Sequence, residues 1–370
     1  MNDKNLFIRQ AVVFLLILIL LVYIINSVYL NFILPKKNFY KKEIIYQNYL
    51  ENLKDKKIDF PFFGDSHAFH AANPNFVPNS FNFASGAENY IKTYYKLNNI
   101  INKDHVKVKA VILETDLQTF CTIFTKEPFL YNELELYSKF TPLDDIAKIR
   151  HISIIQAWIE SNFPFLGRGK EYGILIKQPE FTELSLGWMK NIGNLSKENE
   201  TALSISNYKT TFVGQERISN ISMEYFIKTI ELAKKNNATI IFIKYPYSKV
   251  YDNVLKENNI TSDDYYNAIF SQVNITTKNY TILDYHDIFF NNSEYFGDPE
   301  HTNYIGSRIL SEKIYDDLKK LNLTSGEVNS NLISINNPQK YNYLILAIFL
   351  EILLVILLIS LLRKRARVLS

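Results

Sequence analysis

Ile58-Asp59-Phe60-Pro61-Phe62-Phe63-Gly64-Asp65-Ser66-His67 joins a short apolar run to a polar turn. The run reads as a first β-strand, and Gly64 and Asp65 as its punctuation. Ser66 then falls on the turn at the strand's carboxyl end, where a hydroxyl can project and a following helix can offer backbone N–H groups. Gly-Asp-Ser is also ordinary turn chemistry, so the tripeptide alone leaves a simple turn as the rival reading.

Outward from this stretch the pattern alternates. Ser80–Ala84 reads as a second strand, Glu88–Ile101 as a helix and Val106–Glu114 as a third strand rich in β-branched residues. Met223–Asn236 is helix-like, Ala238–Lys244 a fourth strand, Thr281–Asp284 a fifth and Asn303–Leu321 a closing helix. Strands alternating with helices predict an α/β fold with a mainly parallel sheet covered on both faces, and active residues at the carboxyl ends of its strands. The stretch from about Leu117 to Arg217 breaks the rhythm, with a helix expected over about Leu143–Ser161. It is too long for a structureless loop and is expected to be an inserted cap. Residues 36–57 form a polar connector, 58–325 the main domain and 326–341 a linker.

Gly297-Asp298-Pro299-Glu300-His301 precedes the closing helix. A serine hydroxyl needs a base to become a nucleophile, and histidine suits that task near neutral pH. Asp298 lies three residues before His301, close enough for its carboxylate to fix the imidazole tautomer. Asp298 followed by Pro299 is equally a helix N-cap with proline at the first helical position. That bland reading leaves His301 unexplained.

These ordered blocks resemble the SGNH (GDSL-type) hydrolase superfamily: Gly64-Asp65-Ser66 after the first strand, Gly86 after the second, and Asp298 with His301 before the last helix. The fold expected is thus a three-layer SGNH-like sandwich. The wider wording, GDSHAFHAANP and DPEHTNYIGS, is similar to SGNH domains that serve O-acetylation of cell-surface glycans, including relatives of alginate O-acetylation proteins. The resemblance implies Ser66 as nucleophile, His301 as base and Asp298 as third member, with the N–H groups of Ser66 and Gly86 in the oxyanion hole. The family's third block supplies an Asn after the third strand. Here that place reads Glu114-Thr115-Asp116-Leu117. An ionised Asp has no proton to donate to an oxyanion. Thr115, a protonated Asp116 or Asn89 are the candidate substitutes. His67 is a candidate for binding substrate or steadying the turn, and His70 for a structural role. Asp284, His286 and Asp287 follow the fifth strand in a polar loop. Tyr245-Pro246-Tyr247 is read either as a sugar subsite or as packing.

The function expected is a membrane-anchored serine acyl-ester enzyme, an O-acetyltransferase or O-acetylesterase of a surface glycan, needing no cofactor. A transferase of this kind requires a membrane partner that delivers acetyl groups. Two other classes stay open: a catalytically inactive glycan-binding or assembly protein, and a lipase or thioesterase.

Composition narrows the field. The 370 residues carry 41 Lys+Arg against 38 Asp+Glu, a net charge of +3 that gives no reason to expect nucleic-acid binding. Cys121 is the single cysteine, which precludes an intramolecular disulfide and argues against a zinc site. Ala11 to about Leu34 carries no charged residue and is long enough to span a bilayer, so residues 1–35 read as an uncleaved anchor. Tyr343–Leu362 reads as a second span, closed by Arg363, Lys364, Arg365 and Arg367, a cytoplasmic-side signature. Lys36, Lys37, Lys41 and Lys42 after the first span vote the other way. The denser cluster predicts both termini in the cytoplasm (residues 363–370 a basic tail) and the main domain outside. Nine Asn-x-Ser/Thr sequons in the central region fit that location. Glu351, inside the second span (342–362), is read either as an intramembrane partner site or as a tolerated neutral acid.

Overall fold

The structure is a computed structural model that describes residues 3–34, 38–53, 55–126, 140–166, 184–277 and 279–324. Two compact units are present, one of Ile33–Leu332 and one of Met1–Phe32 with Ile333–Ser370. In the smaller unit, helix α1 (Asp3–Val28) runs on into a π-helical turn, Tyr29–Ile33. Phe7–Ile33 is long and apolar enough to cross a membrane, with a mean hydropathy of 2.9. The expected second span, Glu351 within it and the basic tail lie outside the described residues.

The larger unit is α/β with a mostly parallel sheet. Helix α2 (Asn38–Asn52) leads to β1 (Lys57–Ile58) and β2 (Phe60–Phe63). Then come α3 (Ser66–Ala71), β3 (Ser80–Asn82), α4 (Tyr90–Asn98), β4 (Lys107–Val108) and β5 (Ala110–Glu114). The irregular region holds α5 (Leu143–Ile149), α6 (Ile154–Asn162), a hairpin of β6 (Leu184–Ser185) and β7 (Trp188–Met189), and α7 (Lys197–Phe212). Helix α8 (Asn220–Lys235) precedes β8 (Thr239–Lys244); α9 (Lys249–Glu257) and α10 (Ser262–Thr276) precede β9 (Thr281–Asp284); α11 (Tyr304–Lys320) closes the unit.

Five strands pair in the order β3-β2-β5-β8-β9, every pair parallel. From β2 the chain steps to one side to make β3, then crosses back to build β5, β8 and β9 on the other. The crevice outside the carboxyl ends of β2 and β5 is therefore the topological switch point, where ligands bind in open sheets of this kind. Ser66 follows β2 directly and Asp116 lies two residues past β5.

Alternation along each strand sorts side chains to two faces. Phe63, Val111, Leu113, Ile240 and Phe242 join one buried cluster with residues of α4, α8 and α10. Phe60, Phe62, Ile112, Ile241 and Ile243 join the other with residues of α3 and α11. Both faces of the sheet are thus dry, as all-parallel sheets require.

Three expectations need correction. The first strand is divided at Asp59, and β2 pairs with β5 only from Phe62 onward. Pro61 has no N–H to give to the ladder, which accounts for the gap. The helix expected over 143–161 is two helices, because the chain turns at Arg150–Ser153 and Ser153 caps the second one through Gln156 N. The helix expected to run to Ile101 ends at Asn98 and passes into a π-helical turn.

Candidate active site

The turn after β2 leaves no room for a side chain at position 64. A Cβ on Gly64 would lie 2.2 Å from Glu114 Oε2 and 2.9 Å from Ala68 Cβ, and φ there is +156°. Asp65 caps α3, its Oδ1 accepting from His67 N at 2.8 Å. Glu114, the last residue of β5, reaches across and accepts from Asp65 N at 2.8 Å and Ala68 N at 3.1 Å through Oε2. Burial, with Asp65 and Asp116 nearby, pushes the Glu114 carboxyl well above the usual range, which favours its neutral form. Ser66 opens α3, and its Oγ makes no hydrogen bond among the described residues.

His301 is held by a closed turn. Gly297 N donates to His301 O at 2.9 Å, Phe296 bridges Thr302, and Asn303 caps α11 through Ile305 N and Gly306 N. Asp298 receives Glu300 N, His301 N and the His301 Nδ1–H, the last at 2.9 Å to either oxygen. Burial of the carboxyl is outweighed by these donors, above all His301, and its pKa falls to about 2. Because Nδ1 carries the proton toward Asp298, Nε2 presents a lone pair. That Nε2 is buried and has no hydrogen-bond partner among the described residues. The His301 ring packs edge-on against His67 and against His70, with centroids 5.2 Å apart in each case. Ser66 is the residue before His67 and one helical turn before His70, so it lies on the same side of α3 as the two histidines on which His301 packs. Oxygen and nitrogen of a Ser–His pair are often loosely placed until substrate binds.

Below Ser66 lies a second His–Asp pair. His67 Nδ1 donates to Asp116 Oδ2 at 2.8 Å, and Asp116 Oδ1 accepts from Tyr245 N at 3.0 Å. The Gln118 amide stands 2.7 Å from Asp65 Oδ2 and 2.9 Å from His67 Nε2. Burial disfavours the His67 imidazolium, but Asp65, Asp116 and Glu300 together outweigh it and lift its pKa to about 9. An amide N–H donated to Nε2 suits the neutral ring alone, so the Gln118 contact and the charge of His67 are alternatives. The carboxylates favour the charged ring, whereas the Gln118 N–H that donates to Asp65 Oδ2 favours the neutral one. His70 takes the opposite direction. Burial and His301 lower it to about 3, and its Nδ1–H donates to Met189 O at 3.1 Å.

The expected oxyanion substitutes sort cleanly. Asp116 is an acceptor twice over, occupied by His67 and Tyr245. Thr115 is buried and spends its hydroxyl on Ile243 O at 3.2 Å. Asn89 caps α4 through Lys92 N and gives its amide N–H to Phe124 O at 2.8 Å. None of these three is placed as a free donor at Ser66. Gly86 sits in a turn joined to the Ser66 loop by the Ser85 N to Gly64 O hydrogen bond. Asp65, His67 and Glu114 bring ligand atoms within 4.8 Å of one another, but both His67 nitrogens are already engaged, which fits a hydrogen-bonded network better than a cation site. Asp284 pairs with Lys244, and His286 with Asp252 at 2.9 Å. Cys121 is buried, its Sγ facing Thr211 O and Glu216 O.

Glu114, Gln118 and Glu300 were not singled out in the sequence. Glu300 lies inside the motif, between Asp298 and His301. No family model matches the chain, and no curated protein matches it.

Proposed function

We propose that the chain is an SGNH-type serine acyl-ester enzyme, held at a membrane by its apolar N-terminal helix, that transfers acetyl groups to or removes them from a surface glycan. The observation that carries this reading is the His301 Nε2 lone pair, buried, unpartnered and fixed by Asp298, on the α3 end that begins with Ser66. A partnerless buried nitrogen is costly unless something is meant to meet it.

In this reading His301 Nε2 takes the Ser66 proton as Oγ bonds to the acyl carbon. The oxyanion is met by the N–H groups of Ser66 and Gly86, and the leaving alcohol takes the proton back from His301. A sugar hydroxyl or water then attacks the acyl-Ser66, giving its proton to Nε2, and Ser66 Oγ recovers it. Asp298, ionised at any physiological pH, keeps the imidazole in the productive tautomer throughout. Asp116 does not serve the oxyanion; it holds His67 beneath the turn. This occupied third-block position is the feature that favours the rival reading, a non-catalytic glycan-binding or assembly protein, while a lipase or thioesterase shares the same triad.

Glycan acetyl content decides between these readings. Cells lacking the protein should show altered O-acetyl content in surface polysaccharide, restored by the wild-type chain and by less than a tenth with Ser66→Ala. Full restoration by Ser66→Ala would place the protein among scaffolds. Unchanged acetyl content on deletion would remove the glycan from the account.

A further inference from the structure

The lone pair of His301 has company. Glu300 Oε1 and the Tyr251 hydroxyl are also buried without a hydrogen bond of good geometry. Glu300 is 8% exposed, and its other oxygen, Oε2, accepts from Asn207 Nδ2 on α7 at 2.9 Å. The Tyr251 hydroxyl lies beside the carboxyl. Tyr247 packs edge-on to Tyr251, with centroids 5.4 Å apart, and at 5.1 Å to His67. The carboxyl faces both His67 and His301, whose opposing influence burial outweighs. Asp298, Asp116 and Asp65 have donors on both oxygens; Glu114 Oε1 is also without a partner, but its carboxyl lies under the turn, held by Asp65 N and Ala68 N through Oε2. A carboxyl oxygen next to the base whose only neighbouring donor among the described residues is the poorly aligned Tyr251 hydroxyl is a place prepared for a further donor.

We propose that Glu300 Oε1, with the Tyr251 hydroxyl, receives the hydroxyl neighbouring the one that is acylated, so that the site selects polyhydroxylated acceptors. This rests on the acyl-ester reading of Ser66 and His301. In the transfer step the attacking oxygen bonds to the acyl carbon and its proton passes to His301 Nε2. The bond from Ser66 Oγ to the acyl carbon breaks, and Oγ takes that proton. The neighbouring hydroxyl is not consumed; it donates to Glu300 Oε1 and fixes the sugar ring. Water and monohydric alcohols offer no second hydroxyl and leave the carboxylate bare. Sites built around a substrate hydroxyl reject analogues lacking it by large factors for this reason.

The test uses the full-length chain in detergent, p-nitrophenyl acetate as donor, and glycerol, methyl glucoside or methyl galactoside against ethanol as acceptors. Wild type should acetylate at least one polyol in preference to ethanol. In Glu300→Gln, transfer to that polyol, taken relative to the variant's own Ser66-dependent release of p-nitrophenol without acceptor, should fall about 10- to 100-fold through a higher KM. Should Glu300→Gln lose the basal release, Tyr251→Phe, which removes a single oxygen, gives the second measurement and should lower the same ratio. An unchanged ratio in a variant that retains basal release, or no polyol preference in wild type, overturns the subsite alone. No Ser66-dependent release from wild type overturns the acyl-ester reading and the subsite with it.

Discussion

Glu114 holds its proton to higher pH than an exposed glutamate, and the consequence is measurable. The folded carboxyl binds its proton to a pH well above its ordinary 4.5, so above that value the native state holds more protons than the unfolded chain. Stability must then fall as pH rises, by up to about 1.4 kcal/mol per pH unit while only the native state is protonated. Glu114→Gln keeps a carbonyl oxygen for Asp65 N and Ala68 N and has no proton to lose. Urea unfolding of the variant from pH 5 to 9 should show a flatter profile than wild type; identical slopes would mean Glu114 is not the titrating group. The pairing of Asp298 with His301 was legible in the sequence because both lie in one short local motif. Glu114 and Gln118 were not, because their roles arise only when β5 is laid beside β2.

At the scale of elements, α3 is only six residues long, and its position depends on a partner across the sheet. Asn82 on β3 is fully buried, donates through Nδ2 to Ala68 O and Ala72 O at 2.7 Å each, and accepts from Ala84 N at 3.0 Å. Asn82→Ala takes the side-chain partner from Ala72 O and Ala84 N and one of two donors from Ala68 O, which keeps Ala72 N, and should cost about 2–4 kcal/mol of unfolding free energy, read from the denaturant midpoint at unchanged m-value. A loss under about 0.5 kcal/mol would show that α3 is held by other contacts. The strands of the main sheet were readable as β-branched and aromatic runs. The hairpin β6–β7 was not, since two-residue strands show no period. Helix α10 went unread although Tyr266, Ile269, Phe270 and Val273 follow helical spacing, because polar and β-branched neighbours blur the pattern. The inserted region was recognised only as a break in rhythm, yet it supplies Asn207 to Glu300 and Met189 to His70.

Across the larger unit, the strand order does what no single motif can. It sets the turn after β2 and the end of β5 at one crevice, and the loop before α11 brings Asp298 and His301 to the same edge. The account stands on Ser66 being activated by His301, and an active-site-directed fluorophosphonate probe reads that directly. Intact-mass and peptide mapping of the full-length protein should find one adduct, on Ser66, absent in Ser66→Ala and slowed at least about 100-fold in His301→Ala. A folded wild-type chain that takes up no adduct at Ser66, or that labels equally fast without His301, would contradict it.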